Sequence, residues 1–204
     1  MENKDFICVL GPSGCGKSTY GQYIIDNLKL PVIVFNGDME RKILLQSHDS
    51  QTVEKLLSEK FNNLKHRAIF TENSFAMESP MPMPDQINDF KNEGYRIIAI
   101  FFGLDNPAIC NARINGRAML GGLDIPPESV INIYDYSFRM LIQELDKGTF
   151  DEIYFCQNNI IIAYFSKENN VLKIHKRDIA WFNQMIKSRI EMFINHQSKI
   201  LNQK

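Results

Sequence analysis

Near its start the chain carries the stretch Gly11-Pro12-Ser13-Gly14-Cys15-Gly16-Lys17-Ser18. This stretch matches the phosphate-loop pattern G-x-x-x-x-G-K-[ST] at every fixed position. Residues 6–10 before it form a short apolar, partly β-branched run, which indicates a buried strand. After the motif, apolar residues recur at helical spacing, at Tyr20, Tyr23, Ile24 and Leu28. The order of strand, loop and helix predicts that a helix begins inside the motif.

The residue types of the motif suit a polyphosphate ligand. Glycines let the backbone wrap closely around phosphates, and the positive end of the following helix points at them. We expect residues 11–18 and Thr19 to form the cradle, with Lys17 reaching the β- and γ-phosphates and the Ser18 hydroxyl on Mg²⁺. The motif therefore predicts binding of ATP, or of another nucleoside triphosphate, together with Mg²⁺.

Length and composition indicate an ordinary globular protein. The chain has 204 residues, 44% of them hydrophobic and 23% charged, which suits one domain spanning residues 1–204. A formal net charge of −1 gives no electrostatic argument for a nucleic-acid or membrane-surface partner. No run approaches the roughly 18 to 20 apolar residues that a membrane-spanning helix needs.

The cysteines and the first residues of the chain are informative about the cellular compartment of the protein. Cys8, Cys15, Cys110 and Cys156 are scattered, and no pair has metal-ligand or C-x-x-C spacing. The first five residues lack the basic start of a signal peptide. We therefore expect reduced thiols in a cytoplasmic protein.

Strands and helices are predicted to alternate along the chain. The apolar patterns predict strands at 31–35, 68–71, 95–102 and 151–156, a hairpin over 160–174, and helices at 49–65, 85–94, from 106, over 127–147 and over 179–194. Alternation of this kind favours an α/β fold with a mostly parallel sheet covered by helices on both faces. Residues of about 106–147 are expected to form a helical lid over the nucleotide, and a β-hairpin and a helix are expected to end the chain.

Two acidic positions follow predicted strands. Asp38 lies after the second strand, at the sheet edge where open α/β sheets bind their ligands, and it suits a general base or, equally, a cap of the next helix. Glu72, Asn73 and Ser74 follow the strand predicted at 68–71, so Glu72 is a candidate for holding Mg²⁺ or a substrate, or else a simple loop carboxylate.

Arg113 and Arg117 are four residues apart on a predicted helix, so both guanidinium groups project from one face. Two arginines aimed at a triphosphate would neutralise the charge that develops in phosphoryl transfer. A solvated basic helix face explains the same spacing.

Taken together, these residues resemble the zeta-toxin family of P-loop kinases over residues 6–181. The most specific similarity lies in three segments and one tyrosine: Phe102-Gly103-Leu104, Asn111-Ala112-Arg113-Ile114-Asn115-Gly116-Arg117, Gly121-Gly122-Leu123-Asp124-Ile125-Pro126, and Tyr134. Asn36-Gly37-Asp38 falls where the family has its catalytic aspartate, and Thr71-Glu72-Asn73-Ser74 where it has an acidic turn at the substrate pocket. The chain departs from the family at Leu123, at Ile133 and at Gln157-Asn158-Asn159, where the family has His, Arg and an Asp-Asn-Ser-like turn.

The resemblance implies a P-loop kinase that uses ATP-Mg²⁺ to phosphorylate UDP-N-acetylglucosamine and that an antitoxin protein neutralises. Asp38, Lys17, Arg113 and Arg117 would be its catalytic residues, and Asp38, Glu72, Asn73 and Ser74 its substrate-binding residues. Three alternatives stay open. They are a metabolite or nucleoside kinase with no toxin role, a nucleotide-binding regulatory protein without catalysis, and a polynucleotide 5′-kinase, which the lack of an evident basic groove disfavours.

Overall fold

The structure, a computed structural model, describes residues 4–27, 32–122 and 124–201. Its strands are β1 (Asp5–Leu10), β2 (Val32–Asn36), β3 (Ser74–Glu78), β4 (Arg96–Phe102), β5 (Glu152–Gln157), β6 (Ile160–Ser166) and β7 (Val171–Ile174). Its helices are α1 (Lys17–Asn27), α2 (Gly37–Leu44), α3 (Ser50–Phe70), α4 (Pro84–Asn92), α5 (Pro107–Met119), α6 (Pro127–Asp146) and α7 (Lys187–Leu201), with a π-helical segment, Phe182–Ile186, directly before α7. None of these helices is both long and apolar enough to cross a membrane.

The strands form one sheet in the order β2-β3-β1-β4-β5-β6-β7. The first five strands in this order pair in parallel, and β6 and β7 add an antiparallel hairpin at the far edge. This confirms the predicted mostly parallel sheet and the hairpin near the end of the chain. Because β1 to β4 are parallel, their carboxyl ends lie on the same side of the molecule, and sheets of this kind bind ligands beside these ends.

Helices cover both faces of the sheet. Phe6 and Val9 of β1 point to opposite faces, because side chains alternate along a strand. On one face, Phe90 of α4 stacks on Phe6 with ring centroids 4.2 Å apart. On the other, a Cβ built on Gly21 of α1 would lie 3.0 Å from Val9. The two central strands β1 and β4 are therefore almost fully buried, which explains their continuous apolar sequences.

The strand predicted at 68–71 is wrong. Ala68 and Phe70 belong to the last turn of α3, and Thr71 ends the helix, its hydroxyl donating to the carbonyl oxygen of Arg67 at 2.8 Å. Packing of the helix explains part of the apolar run, because Ala68 is buried and Ile69 is partly buried against the core, whereas Phe70 is 89% exposed. The third strand in sequence is instead β3, six residues further on than predicted. Of the other predicted positions, Leu28, Pro31 and Leu123 lie outside the described residues.

The predicted lid over 106–147 contains two helices with different surroundings. Helix α6 buries an apolar face in the core, where Phe138 lies 5.1 Å from Phe101 and 5.7 Å from Trp181 between ring centroids. The Tyr134 hydroxyl donates to the carbonyl oxygen of Leu104 at 2.6 Å. Helix α6 is therefore part of the body of the domain, and α5 alone of the two lines the cavity described below.

Candidate functional site

The phosphate loop connects β1 to α1 in a conformation that depends on glycine. Gly11, Gly14 and Gly16 have φ angles of +132°, +80° and +106°, which residues with a side chain rarely adopt. A Cβ on Gly11 would collide with the carbonyl oxygen of Phe102, and one on Gly14 would lie 2.6 Å from that of Cys110. The loop is thus packed between the ends of β4 and α5, with its backbone shaped as a cradle.

Lys17 begins α1, and its side chain folds back into the loop. Its ammonium group donates hydrogen bonds to the carbonyl oxygens of Gly11 at 2.6 Å and Pro12 at 2.9 Å. The side chain is buried in spite of its charge. The positive charge of Lys17 is therefore fixed at the centre of the loop.

Glu78, at the carboxyl end of β3, links three elements around this loop. Its two carboxylate oxygens accept hydrogen bonds from the Ser18 hydroxyl and from the Asn36 amide nitrogen, each at 2.7 Å. Burial raises the pKa of Glu78, and the nearby charge of Asp38 adds to this effect, while the Ser18 hydrogen bond and the charge of Lys17 oppose it. The sequence reasoning did not identify Glu78.

Asp38 lies in the first turn of α2, beside the same loop. Asn36 caps this helix, its side-chain oxygen accepting from the Met39 amide at 3.0 Å, so the alternative that Asp38 is the cap is wrong. The Asp38 side chain is 63% exposed and forms a 3.4 Å ion pair with Arg41. A carboxylate is thus presented to solvent near the phosphate loop.

A cavity of about 420 Å³ lies over the loop, and both predicted arginines line it. Arg113 and Arg117 project from α5, and Arg113 donates to the Asn158 side chain at 3.0 Å. Of the predicted site residues, the cavity is lined by Ser13, Gly14, Gly16, Lys17, Ser18, Thr19, Asp38, Arg113 and Arg117, and Glu78 joins them. Gly11, Pro12 and Cys15 support the loop from beneath, and burial raises the pKa of the Cys15 thiol.

A second cavity, of about 340 Å³, opens beside the first. Its walls come from the end of β2, α2, α3 and the segment after β3. The two cavities share three lining residues, Lys17, Asp38 and Glu78. Two ligands bound in the two cavities would therefore meet at these side chains.

Glu72, Asn73 and Ser74 lie at the opposite end of the strands, where β3 begins. The Ser74 hydroxyl accepts from the Asp5 amide at the start of β1, and Glu72 pairs with Lys4 at 3.4 Å. Ser74 begins β3 and Glu78 ends it, a separation of about 13 Å along a strand. The prediction that residues 72–74 line the substrate pocket is therefore contradicted. One signal for Glu78 was present, an acid that directly follows the apolar residues 75–77.

No family model and no curated protein matches the chain. Among solved structures, it is similar to a chain from the PezAT chromosomal toxin-antitoxin system of the human pathogen Streptococcus pneumoniae, with a TM-score of 0.58 and 14% identity over 100% of this chain and 89% of that one. It is also similar to a putative kinase from Chloroflexus aurantiacus, with a TM-score of 0.51 and 18% identity over 67% of this chain and 80% of that one. These similarities confirm the predicted P-loop α/β fold and agree in fold with the predicted resemblance.

Proposed function

We propose that the chain is a kinase that transfers the γ-phosphoryl group of a magnesium-bound nucleoside triphosphate, ATP or another, to a hydroxyl group of a small molecule. The observation that carries this proposal is that the two cavities share Lys17, Asp38 and Glu78. A kinase must bring a phosphate donor and an acceptor together at one point, and positioning of this kind supplies much of its catalysis.

The cavity over the phosphate loop fits the donor. Its walls include the glycine-dependent backbone of the phosphate loop, and Lys17, Arg113 and Arg117 supply positive charge. Ser18 and Glu78, hydrogen-bonded to each other, offer the oxygen ligands that Mg²⁺ prefers. Mg²⁺ held there would neutralise charge on the phosphates. The two arginines would stabilise the charge that develops on the transferred group.

Asp38 is the carboxylate best placed to act as general base. Both oxygens of Glu78 are engaged by Ser18 and Asn36, whereas Asp38 is exposed and lines both cavities. In the proposed step the acceptor oxygen bonds to the γ-phosphorus, the bond from that phosphorus to the β-bridging oxygen breaks, and the hydroxyl proton passes to Asp38.

The test is the Asp38→Asn variant, assayed with radiolabelled ATP and a panel of acceptors that includes UDP-N-acetylglucosamine. We expect transfer to fall by about 10²- to 10⁴-fold because the base is lost, while calorimetry still detects binding of Mg-ATP. Asp135→Asn, an exposed acid on α6, is the matched control and should keep full activity. Full activity of Asp38→Asn would refute the assignment of the base.

A non-catalytic nucleotide-binding protein is the main rival. Its support is the loss of family residues at Leu123 and Ile133. Ile133 lies on α6 and is absent from the described lining of both cavities. Binding of Mg-ATP without transfer to any acceptor would favour this rival.

A toxin role and an antitoxin partner are also proposed, on the resemblance and on the fold shared with a chain of a toxin-antitoxin system. Expression in a bacterial host tests the toxin role. Growth arrest that disappears in Lys17→Ala would support it. Harmless overexpression of a chain that transfers phosphate in vitro would instead favour a metabolite kinase.

A further inference from the structure

We infer that the acceptor is an uncharged ring compound bearing hydroxyl groups, of the size of a nucleoside or a simple sugar, and not a phosphorylated molecule. This inference rests on the proposed function, because it takes the second cavity as the acceptor site. Its volume of about 340 Å³ lies at the lower end of the range of about 300–1,000 Å³ common for small-molecule sites.

One wall of the acceptor cavity is apolar and partly aromatic. Phe35 and Phe61 meet edge to face, with ring centroids 5.2 Å apart, and Leu57, Met77 and Met83 extend the wall. Each of the two rings is at least nine-tenths buried and is held by its neighbour, so the surface is preformed. A preformed apolar wall of this kind favours the flat face of a ring over a chain of phosphate groups.

The cavity carries no uncommitted cation among the described residues that line it. Lys17 is bonded to the phosphate loop and would serve the donor. Arg41, the other lining cation, donates to both oxygens of Glu54, at 2.9 Å from Nε and 3.1 Å from Nη2, and also pairs with Asp38 at 3.4 Å. A guanidinium engaged in this two-point geometry already binds a carboxylate with the groups that would otherwise bind a phosphate.

Basic side chains at the neighbouring surface of α3 are likewise paired with acids. Lys60 bonds Glu40 at 2.6 Å, and Lys65 bonds Asp89 at 2.7 Å. Asp38 and Glu78 place two acidic groups in the lining of the cavity. A phosphate group on the acceptor would face these acids without a cation to offset them, because like charges at short range repel. The donor cavity differs because two arginines, Arg113 and Arg117, give its lining positive charge.

The remaining polar groups suit neutral hydrogen-bonding ligands. Asn62 and Gln86 line the cavity with side-chain amides, and Ser79 adds a hydroxyl. An amide offers both donors and acceptors, as hydroxyl groups and the edges of a base require. These groups line the same cavity as the aromatic wall and can hydrogen-bond to the hydroxyl groups of a ring compound.

The experiment compares matched neutral and phosphorylated probes by calorimetry, with the chain alone and with the chain saturated with Mg-AMPPNP. The probes are the four common ribonucleosides and N-acetylglucosamine, each paired with its monophosphate, and UDP-N-acetylglucosamine. We expect at least one neutral probe to bind, and its phosphorylated partner to bind at least tenfold more weakly. Tighter or equal binding of the phosphorylated partner, or no binding of any neutral probe, would overturn the inference.

Failure of the inference and failure of the proposed function give different results. Phosphoryl transfer to a phosphorylated acceptor would keep the kinase and refute the neutral acceptor. Binding of a neutral probe by a chain that binds no Mg-AMPPNP would keep the cavity assignment and refute the kinase.

A variant tests the role assigned to the Arg41 ion pair. Glu54→Gln removes the anion of this two-point pair without changing a residue that lines the cavity, so we expect the affinity for the monophosphate to rise at least threefold while nucleoside affinity is unchanged. Glu59→Gln is the matched control on the same helix, since Glu59 pairs with Lys55 at 3.9 Å. An unchanged ratio of affinities in Glu54→Gln would overturn the claim that this ion pair excludes phosphate.

Discussion

Replacing Glu78 with Gln keeps the size of the side chain and removes its negative charge. The carboxylate accepts 2.7 Å hydrogen bonds from Ser18 and from Asn36, and Gln retains only one oxygen as an acceptor. A hydrogen bond to a charged group contributes about 1.5–3 kcal/mol. Because Glu78 both orients the Ser18 hydroxyl and faces the proposed Mg²⁺ site, we expect Mg²⁺-dependent nucleotide affinity to fall by about 10- to 100-fold.

The assay is calorimetric titration of AMPPNP in the presence and in the absence of Mg²⁺. We expect Glu78→Gln to weaken binding with Mg²⁺ and to leave binding without Mg²⁺ nearly unchanged. Glu72→Gln is the matched control, because Glu72 lies at the opposite end of the strands, just before β3 begins, and its side chain is 77% exposed. Equal weakening with and without Mg²⁺, or an effect in Glu72→Gln alone, would refute the reasoning.

Two further predictions concern the loop and the core. Gly14→Ala should abolish nucleotide binding because a Cβ would lie 2.6 Å from the carbonyl oxygen of Cys110, and normal nucleotide binding by this variant in calorimetry would contradict the prediction. Gly116→Ala is the control, because its Cβ would meet nothing within 4 Å. It should bind nucleotide normally and gain about 0.5–1 kcal/mol of stability. Trp181→Ala should lower the free energy of unfolding by about 3–5 kcal/mol because the indole is 2% exposed; a loss below about 1 kcal/mol in urea denaturation would contradict it.

The sequence was sufficient to predict the fold class and most of the residues that line the cavity over the phosphate loop. Each fixed position of the phosphate loop has a strict chemical reason, so residues 11–18 could be placed between a strand and a helix. Arg113 and Arg117 could be predicted to share a helix face from their spacing alone. The structure adds that this face lines the cavity over the phosphate loop.

The lining of the second cavity was largely not predictable because one strand was misplaced. Residues 68–70 are apolar enough for a strand, but they extend a helix whose buried positions Val53, Leu57 and Phe61 recur at helical spacing. The true strand, β3, is short and ends in an acid, so the local sequence pattern gives little indication of a strand at this position. Its pairing with β1 on one side and β2 on the other determines its position, and this information is not local.

The position of α6 also depends on distant contacts. Its predicted buried stripe comprises Val130, Ile133, Tyr134, Phe138 and Leu141. Four of these residues are buried, whereas Ile133 is only partly buried. Spacing does not specify what such a face packs against. The partner is supplied by Phe101 of β4 and by the later part of the chain, which brings Trp181 against Phe138.

Trp181 is the single tryptophan of the chain, and its surroundings make it an optical reporter. Its ring packs on Gly103, where a Cβ would lie 2.5 Å from the indole, and its Nε1–H donates to Gln157 at 2.9 Å. The residue before Gly103, Phe102, presents the carbonyl oxygen that contacts Gly11 of the phosphate loop. Intrinsic fluorescence excited at the indole therefore originates from one known location, directly behind the phosphate loop, and needs no added dye.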